Sequence, residues 1–412
     1  MMTVIITCVS LSIALYGCLI AAYLFVVTLA AMLKANPVVT DCVQPTCAVL
    51  IPAHNEAQQI EAAVSALHAS DYPKNRFHVF VIADNCTDDT AARARQCGAH
   101  ALERTEPELR GKGQALHWCL THHPAITEQH DVVIIIDADS TVAPGFIAAL
   151  AQGVMQPDIS AAQANNAVEN PLAGWRTALT AAAFALVNHV RLKGLTRLGA
   201  SAGIKGNGMA FRTDVLRKYG WPAHSIAEDI EFGMRLVQDG YRSAYVPAAK
   251  ITSPMPTVAR HATAQRKRWE RGRIQVVKKF VPSLTKALFQ TRDLRLLGPL
   301  MELLTPPLSL LVFLQAIALV LSIFFVPFLL PITVFSLLAT AAHVFLGLYH
   351  SRLPWQVWLA FGALPLYATW KLLLYMSLPF SGEYRWERTV READLIIPLS
   401  AKGHRTRRPR VP

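Results

Sequence analysis

From Val4 to Leu33 no charged side chain interrupts the chain, and Lys34 closes the run. A helix rises about 1.5 Å per residue, so this run exceeds a hydrocarbon core of about 30 Å. It predicts one tilted membrane span. It lacks a basic leader and is too long for the apolar core of a cleaved signal peptide. A second apolar region opens near Leu296. There Leu308–Leu330 and Ile332–Tyr349 are each long enough to cross, and Pro354–Phe380 is a third candidate interrupted by Pro365 and Lys371. Leu296–Pro307 holds Glu302 and a Pro306-Pro307 break, and reads as interfacial or re-entrant.

Between these regions the pattern changes. Cys47–Ile51 is a short apolar run stopped at Pro52, the signature of a buried strand. Ile60, Ala63, Val64 and Leu67 then follow the i, i+3, i+4, i+7 spacing of an amphipathic helix. Phe77–Ala83 and Asp131–Ile136 predict two more strands, with a short helix from Thr90 to Gly98 after the first of them. Continuous apolar strands alternating with helices predict an α/β domain with a mostly parallel sheet. The expected layout is a span at 1–34, a soluble domain at 45–254, basic interfacial helices at 255–307, two or three spans at 308–380 and a basic tail at 381–412.

Composition sharpens the membrane reading: 52% of residues are apolar and 17% charged, against about 25% charged in ordinary globular chains. Seven cysteines lie scattered without paired or zinc-like spacing, which excludes a disulfide scaffold and suits a reducing compartment. An uncharged N-terminus followed by Lys34 places the soluble domain in the cytoplasm, at the inner membrane of a multi-pass protein. Three C-terminal spans would leave the tail outside. That tail, with eight Lys/Arg against four acids from Ser381 to Pro412, calls for the inside, so one of those segments is expected not to cross. The net charge of +12 points to an anionic partner such as phosphate or membrane lipid. Nucleic acid is disfavoured because the basic stretch abuts the apolar spans and carries few aromatics.

Ligands of wound parallel sheets sit beyond the carboxyl ends of the strands. Those ends carry Asn55-Glu56, Asp84 and Asp137-Ala138-Asp139. Asp137 and Asp139 are spaced i, i+2, so on a strand both carboxylates point the same way and suit a hard cation; a solvated loop is the simpler alternative. No GxGxxG or GxxxxGK[ST] is present, which removes dinucleotide and P-loop readings. Glu228-Asp229 opens a helical pattern that stops at Gly240, either as a helix cap or as a general base at a helix start. Gln265, Arg268 and Trp269 share one helix face in a segment, Met255 to Leu300, with eleven Lys/Arg and two acids. Gly111-Lys112-Gly113 offers a cation to phosphate, or forms a turn.

In this order, Pro52-Ala53-His54-Asn55-Glu56, Asp84, Gly111–Leu116, Asp137-Ala138-Asp139, Gly206–Arg212, Glu228-Asp229 and Gln265-x-x-Arg268-Trp269 resemble the membrane-bound glycosyltransferases of family 2. That family includes cellulose, hyaluronan and poly-N-acetylglucosamine synthases and ceramide glucosyltransferases. The resemblance implies a GT-A-like nucleotide-sugar-binding domain flanked by transmembrane helices. It implies that Asp84 with Pro52, Ala53, Asn55 and Glu56 holds the uridine of a UDP-sugar. Asp139, aided by Asp137, would hold Mg²⁺ or Mn²⁺ on the diphosphate, with Lys112, Arg268 and Gln265 beside it. Asp229 would be the base on the acceptor hydroxyl, next to Glu228, and Trp269, Gly206 and Asn207 would lie on the acceptor side. The implied reaction is inverting transfer to a glycan or lipid-linked acceptor. A growing exopolysaccharide is favoured over single transfer to a lipid, with any export partner unnamed. The spans are fewer than in relatives that extrude their own product. The alternative of another class is a non-catalytic membrane protein that binds nucleotide or anionic lipid.

Overall fold

The computed structural model describes residues 1–34, 44–223 and 225–378. The basic tail, with Trp386–Arg391, lies outside them. Helix α1 (Met2–Met32) carries no charge and leads toward the soluble domain. That domain is an eight-stranded sheet in the order β3-β2-β1-β4-β7-β6-β8-β5. Its strands are β1 (Cys47–Ala53), β2 (Phe77–Asp84), β3 (His100–Arg104), β4 (Val132–Ile135), β5 (Thr141–Val142), β6 (Ala161–Val168), β7 (Met209–Arg212) and β8 (Ser243–Ser253). Strands β3, β2, β1 and β4 run parallel, β7 runs against both its neighbours, and β6 pairs in parallel with β8. This is the mixed, mostly parallel sheet of a GT-A-like fold.

The period of two in the strands sorts their side chains into two cores. Val49, Ile51, Val132 and Ile134 face helices α2 (Ile60–His68) on one side. Leu50, Val133 and Ile135 face α3 (Lys112–His122) on the other. Helix α4 (Phe146–Val154) joins the first core through Phe146, Ile147 and Leu150. Ile60, Ala63, Val64 and Leu67 are the buried residues of α2, as their spacing requires. Strand β1 runs through Pro52 to Ala53 instead of ending at Ile51. Pro52 pairs with Ile82 of β2, while β4 stops opposite Leu50. On that flank the missing proline N–H therefore deprives no partner strand of a bond.

Between β6 and β7 lies α5 (Trp175–Phe184), which continues into a π-helical turn at Ala185–Arg191, and between β7 and β8 lies α6 (Glu228–Gln238). Helix α7 (Ala259–Thr291) carries the basic segment. Then follow α8 (Leu297–Leu304), α9 (Leu308–Phe324), α10 (Leu330–Ser351) and α11 (Leu364–Ser377). Among the described residues three helical segments are long and apolar enough to cross a membrane: Val4–Met32, Pro327–Ser351 and Trp355–Ser377. Leu294–Leu304 and Leu308–Phe324 meet at 82°, as a broken span or a re-entrant loop. Inside this bundle polar groups pair with one another: Gln315 Nε2 donates to Ser336 Oγ (2.7 Å) and Thr340 Oγ1 (2.8 Å). In an apolar medium an unpaired polar group is costly, which is why such groups find partners between helices.

Candidate active site

One cavity gathers the carboxyl edge of the sheet. Pro52, Ala53, Glu56 and Asp84 line one end, Lys112, Asp137 and Asp139 follow, and Gly206, Glu228, Asp229, Gln265, Arg268 and Trp269 close around them. Asn55 is not among the lining residues. Its backbone is left-handed (φ 56°), and its Oδ1 accepts from the backbone N–H of Thr87 at 2.7 Å. It braces the loop after β2 and is set back from the cavity.

Asp84 ends β2 and is buried. Arg104 donates to its Oδ1 at 2.5 Å, and Asn85 Nδ2 does so at 2.8 Å. The same guanidinium reaches Glu106 at 2.8 Å. Burial pushes the Asp84 carboxyl up, and Arg104 pulls it back. Sequence reading had no sign of Arg104, because its strand alternates without a clear apolar face.

The Asp-Ala-Asp segment departs from expectation in form. Strand β4 ends at Ile135, and Ser140 N–H closes a turn on the carbonyl of Asp137 (3.2 Å). Strand alternation therefore does not orient the two carboxylates; a turn does, and both still line the cavity. Lys112, at the first turn of α3, lies 2.6 Å from Asp137 Oδ1 and also donates to the carbonyl of Gly206. The Asp137 N–H donates to Asn207 Oδ1 (3.0 Å), while Asn207 Nδ2 donates to Ser140 and Ser253 hydroxyls, both at 2.9 Å. Asn207, expected on the acceptor side, thus has its whole amide engaged in tying the Asp137 turn to β8.

Glu228 and Asp229 begin α6, where the positive helix end favours acids. Burial and the charge of Asp229 push the Glu228 carboxyl up to about 7, against the pull of Lys112. Burial also raises Asp229, with Lys112 and Lys205 opposing. The two neighbouring carboxyls influence one another, and the pair titrates as a unit. Gly206 has φ +87°, and a Cβ built there would lie 2.7 Å from Asp229 Oδ2. Only a glycine lets that carboxylate sit against the loop.

The Gln265, Arg268 and Trp269 face of α7 lines the cavity as its helical spacing predicts. Arg268 makes no ion pair among the described residues. Trp269 packs on Phe184 (ring centroids 5.9 Å apart) with the Arg266 guanidinium over its ring. Gly272 brings α7 against the residue before Glu228, since a Cβ there would lie 2.9 Å from that of Ala227. Next to Trp269, Glu270 accepts from Lys371 of α11 at 2.5 Å. Deeper in the cavity Arg191 grips Glu302 through Nε (2.8 Å) and a terminal nitrogen (2.7 Å), and Tyr23 of α1 donates to the same carboxylate at 2.8 Å. Glu302 and Lys371 stand out in the sequence as charges in apolar runs, the sort of residue that needs a partner. Their partners, far away in the chain, do not.

Asp137 and Asp139 supply hard oxygen donors at one end of this site, which suits Mg²⁺ or Mn²⁺. Lys112 already pairs with Asp137, so a bound cation would share that carboxylate with the ammonium. Among the described residues no group of three His, Cys, Asp or Glu is gathered that could enclose an ion. That matches Mg²⁺, which typically takes one or two carboxylates and completes its shell with substrate phosphates and water.

Residues 45–272, more than half of the chain, match the family described as glycosyltransferase like family 2. A probable glycosyltransferase of Bacillus subtilis (strain 168), YdaM, is 27% identical over 257 residues, which are 59% of this chain and 58% of that protein. A beta-monoglucosyldiacylglycerol synthase of Synechocystis sp. is 26% identical over 242 residues, 56% of this chain and 48% of its own. The chain thus spans about half the length of the curated relatives it matches. Among solved structures, the mannosyltransferase PcManGT of Pyrobaculum calidifontis, in complex with GDP-Man and Mn²⁺, is alike in fold. The match covers 92% of this chain and 100% of that one, with a TM-score of 0.55 and 21% identity. With its acid-tipped sheet edge and the motifs of its soluble domain, the chain belongs to glycosyltransferase family 2.

Proposed function

We propose that the protein transfers a sugar from a nucleoside-diphosphate sugar to an acceptor hydroxyl at the cytoplasmic face of the inner membrane. The observation that carries this reading is the convergence of Asp84, Asp137, Asp139, Lys112 and the Glu228-Asp229 pair on one cavity. The Asp84 end, with Pro52, Ala53 and Glu56, takes the nucleoside, and UDP is the expected form. Lys112 and Arg268 face the diphosphate. A divalent cation held by Asp137 and Asp139 would neutralise the leaving diphosphate as a Lewis acid. Asp229 takes the proton of the attacking hydroxyl, and Glu228 sets the pH at which it can do so. A single base opposite the leaving group supports in-line displacement with inversion at the anomeric carbon. The family membership and the nucleotide sugar bound by the fold neighbour support the same reading.

The test is nucleotide release by the membrane-embedded protein. The screen covers UDP-glucose, UDP-galactose, UDP-N-acetylglucosamine, UDP-glucuronate and GDP-mannose, with Asp229→Asn alongside. Release with one donor that is lost in the variant supports the reading. Binding that survives Asp229→Asn with no release from any donor would return the protein to the class of non-catalytic nucleotide or lipid binders.

A further inference from the structure

The cavity does not end with the soluble domain. Its volume, about 1580 Å³, exceeds the roughly 300–1,000 Å³ that hold a drug-sized ligand. Beyond Asp229 its wall passes Lys205, whose charge acts on both Asp229 and Glu302. It then passes the Arg191–Glu302 pair, which lies within electrostatic reach of His343 in α10. Past this neck the wall turns apolar, with Leu186, Leu308, Val312, Ala341, Phe345 and Leu364 along it. Of the polar groups there, His343 Nδ1 bonds the Thr28 hydroxyl at 2.6 Å and the amide nitrogen of Gln315 bonds Ser336 and Thr340, while the Gln315 Oε1 is buried without a hydrogen-bond partner.

Several residues of this arm keep a large accessible surface. Val312 is 42%, Phe345 67% and Leu364 41% exposed, and Ala341 and Ala368 are exposed too. Accessible surface of this extent on cavity-lining side chains of two apolar helices points to an opening of the arm between them. Ala341 and Phe345 belong to α10, and Leu364 and Ala368 to α11, both within segments apolar enough to cross a membrane. The mouth therefore opens on hydrocarbon. A glycan chain would lose the water on its hydroxyls in such an arm and find few partners in return, at a cost in free energy. A hydrocarbon chain exchanges one apolar surrounding for another.

We propose that the acceptor is a membrane lipid with a free hydroxyl. Its head reaches Asp229 through the neck at Arg191, Lys205 and Glu302, and its hydrocarbon chain lies in the arm between α10 and α11, entered sideways from the bilayer. This rests on the transferase reading above and names the class of acceptor that the site takes, in place of the growing polysaccharide expected from sequence. In the step itself the lipid oxygen bonds to the anomeric carbon as the bond from that carbon to the phosphate oxygen breaks. The hydroxyl proton passes to Asp229, and the nucleoside diphosphate leaves with the bonding electrons.

The experiment uses the full chain in vesicles of the total membrane lipid of the cell that makes it. The donor is the one that supports nucleotide release, labelled in its sugar. The expected result is label in the organic phase. In Ala341→Trp and Ala368→Trp, which narrow the arm, lipid labelling falls at least tenfold, while nucleotide titration finds donor binding unchanged and so shows that each variant is folded. Label confined to water-soluble polymer, nucleotide release with no labelled product, or lipid labelling unchanged in both variants overturns the proposal while leaving the transferase reading in place. Absence of nucleotide release from every donor overturns that reading instead.

Discussion

The ammonium of Lys112 lies 2.6 Å from Asp137 Oδ1 and also donates to the carbonyl of Gly206, the residue packed against Asp229. One cation thus joins the phosphate end of the cavity to its base. Burial disfavours that charge, yet Asp137, Glu228 and Asp229 together raise the Lys112 pKa and keep it protonated. Lys112→Met is expected to lower kcat/KM by about 10²–10³-fold, the usual cost of removing a preorganised electrostatic contact. Because Lys112 holds both Glu228 and Asp229 down, the acid limb of the pH–rate profile should also move to higher pH. A profile displaced in amplitude alone would sever the link between Lys112 and the carboxyl pair.

For the pair itself, Asp229→Asn should reduce kcat by about 10²–10⁴-fold at unchanged donor KM, the range for loss of a general base. Glu228→Gln should act otherwise. The carboxyl that is pushed up to about 7 is then gone, so any step in the rate near that pH should disappear. Initial rates across pH 5–9 separate the two.

Arg104 and Asp84 have side chains 1% and 6% exposed. Removing one partner of such a buried pair costs about 3–5 kcal/mol, most of it from the stranded charge. Arg104→Met is therefore expected to lower the unfolding temperature sharply. Asp84→Asn in the same chain should restore much of the loss without restoring nucleotide binding. Thermal unfolding and nucleotide titration of the three variants test both halves.

Glu231 joins α6 to α7 through Lys279 (2.6 Å) and bonds Arg235 at 2.9 Å. Burial raises its carboxyl, but the bonds from Lys279, Ser225 and Arg235 outweigh that and hold it at about 2. A carboxyl depressed on folding adds stability above its unfolded value, about 4.3, and loses it as the pH falls toward 2. Denaturation midpoints between pH 5 and 2 should fall less steeply in Glu231→Gln than in the wild type.

Removal of divalent cations with EDTA is expected to stop transfer, and Mg²⁺ or Mn²⁺ to restore it. Asp139→Asn should raise the metal concentration for half-maximal rate at least tenfold. A metal titration unchanged in that variant would take Asp139 out of the proposed set.

What was legible in the sequence follows from what is local. The apolar runs at Cys47 and Val132 are buried on both faces, and that at Phe77 over its second half, so they announce a parallel sheet, and its order places their acidic ends together. Strand β6 is harder to see. Its run Ala161–Val168 contains Gln163, Asn165 and Asn166, and the buried Gln163 is satisfied only in three dimensions, by Asn207, Gly208 and Lys205. The same holds for Arg191 with Glu302 and Arg104 with Asp84. A partner twenty or a hundred residues away leaves no periodicity. Asn55 and Asn207 were legible as motif members but not as braces, because a motif records that a residue belongs and not which way its amide turns.

Glu270 bonds Lys371 of α11, follows the Arg268-Trp269 pair in sequence, and lies in the same turn as Gly272, which packs on Ala227. A helix in a bilayer adjusts its tilt to the thickness it meets. Through this ion pair such a tilt bears on the turn of α7 that carries Arg268 and packs on Ala227, the residue before Glu228. Acyl-chain length of the surrounding lipid then becomes a tuning variable of turnover. Rates in vesicles of graded thickness should vary in the wild type and flatten in Lys371→Met.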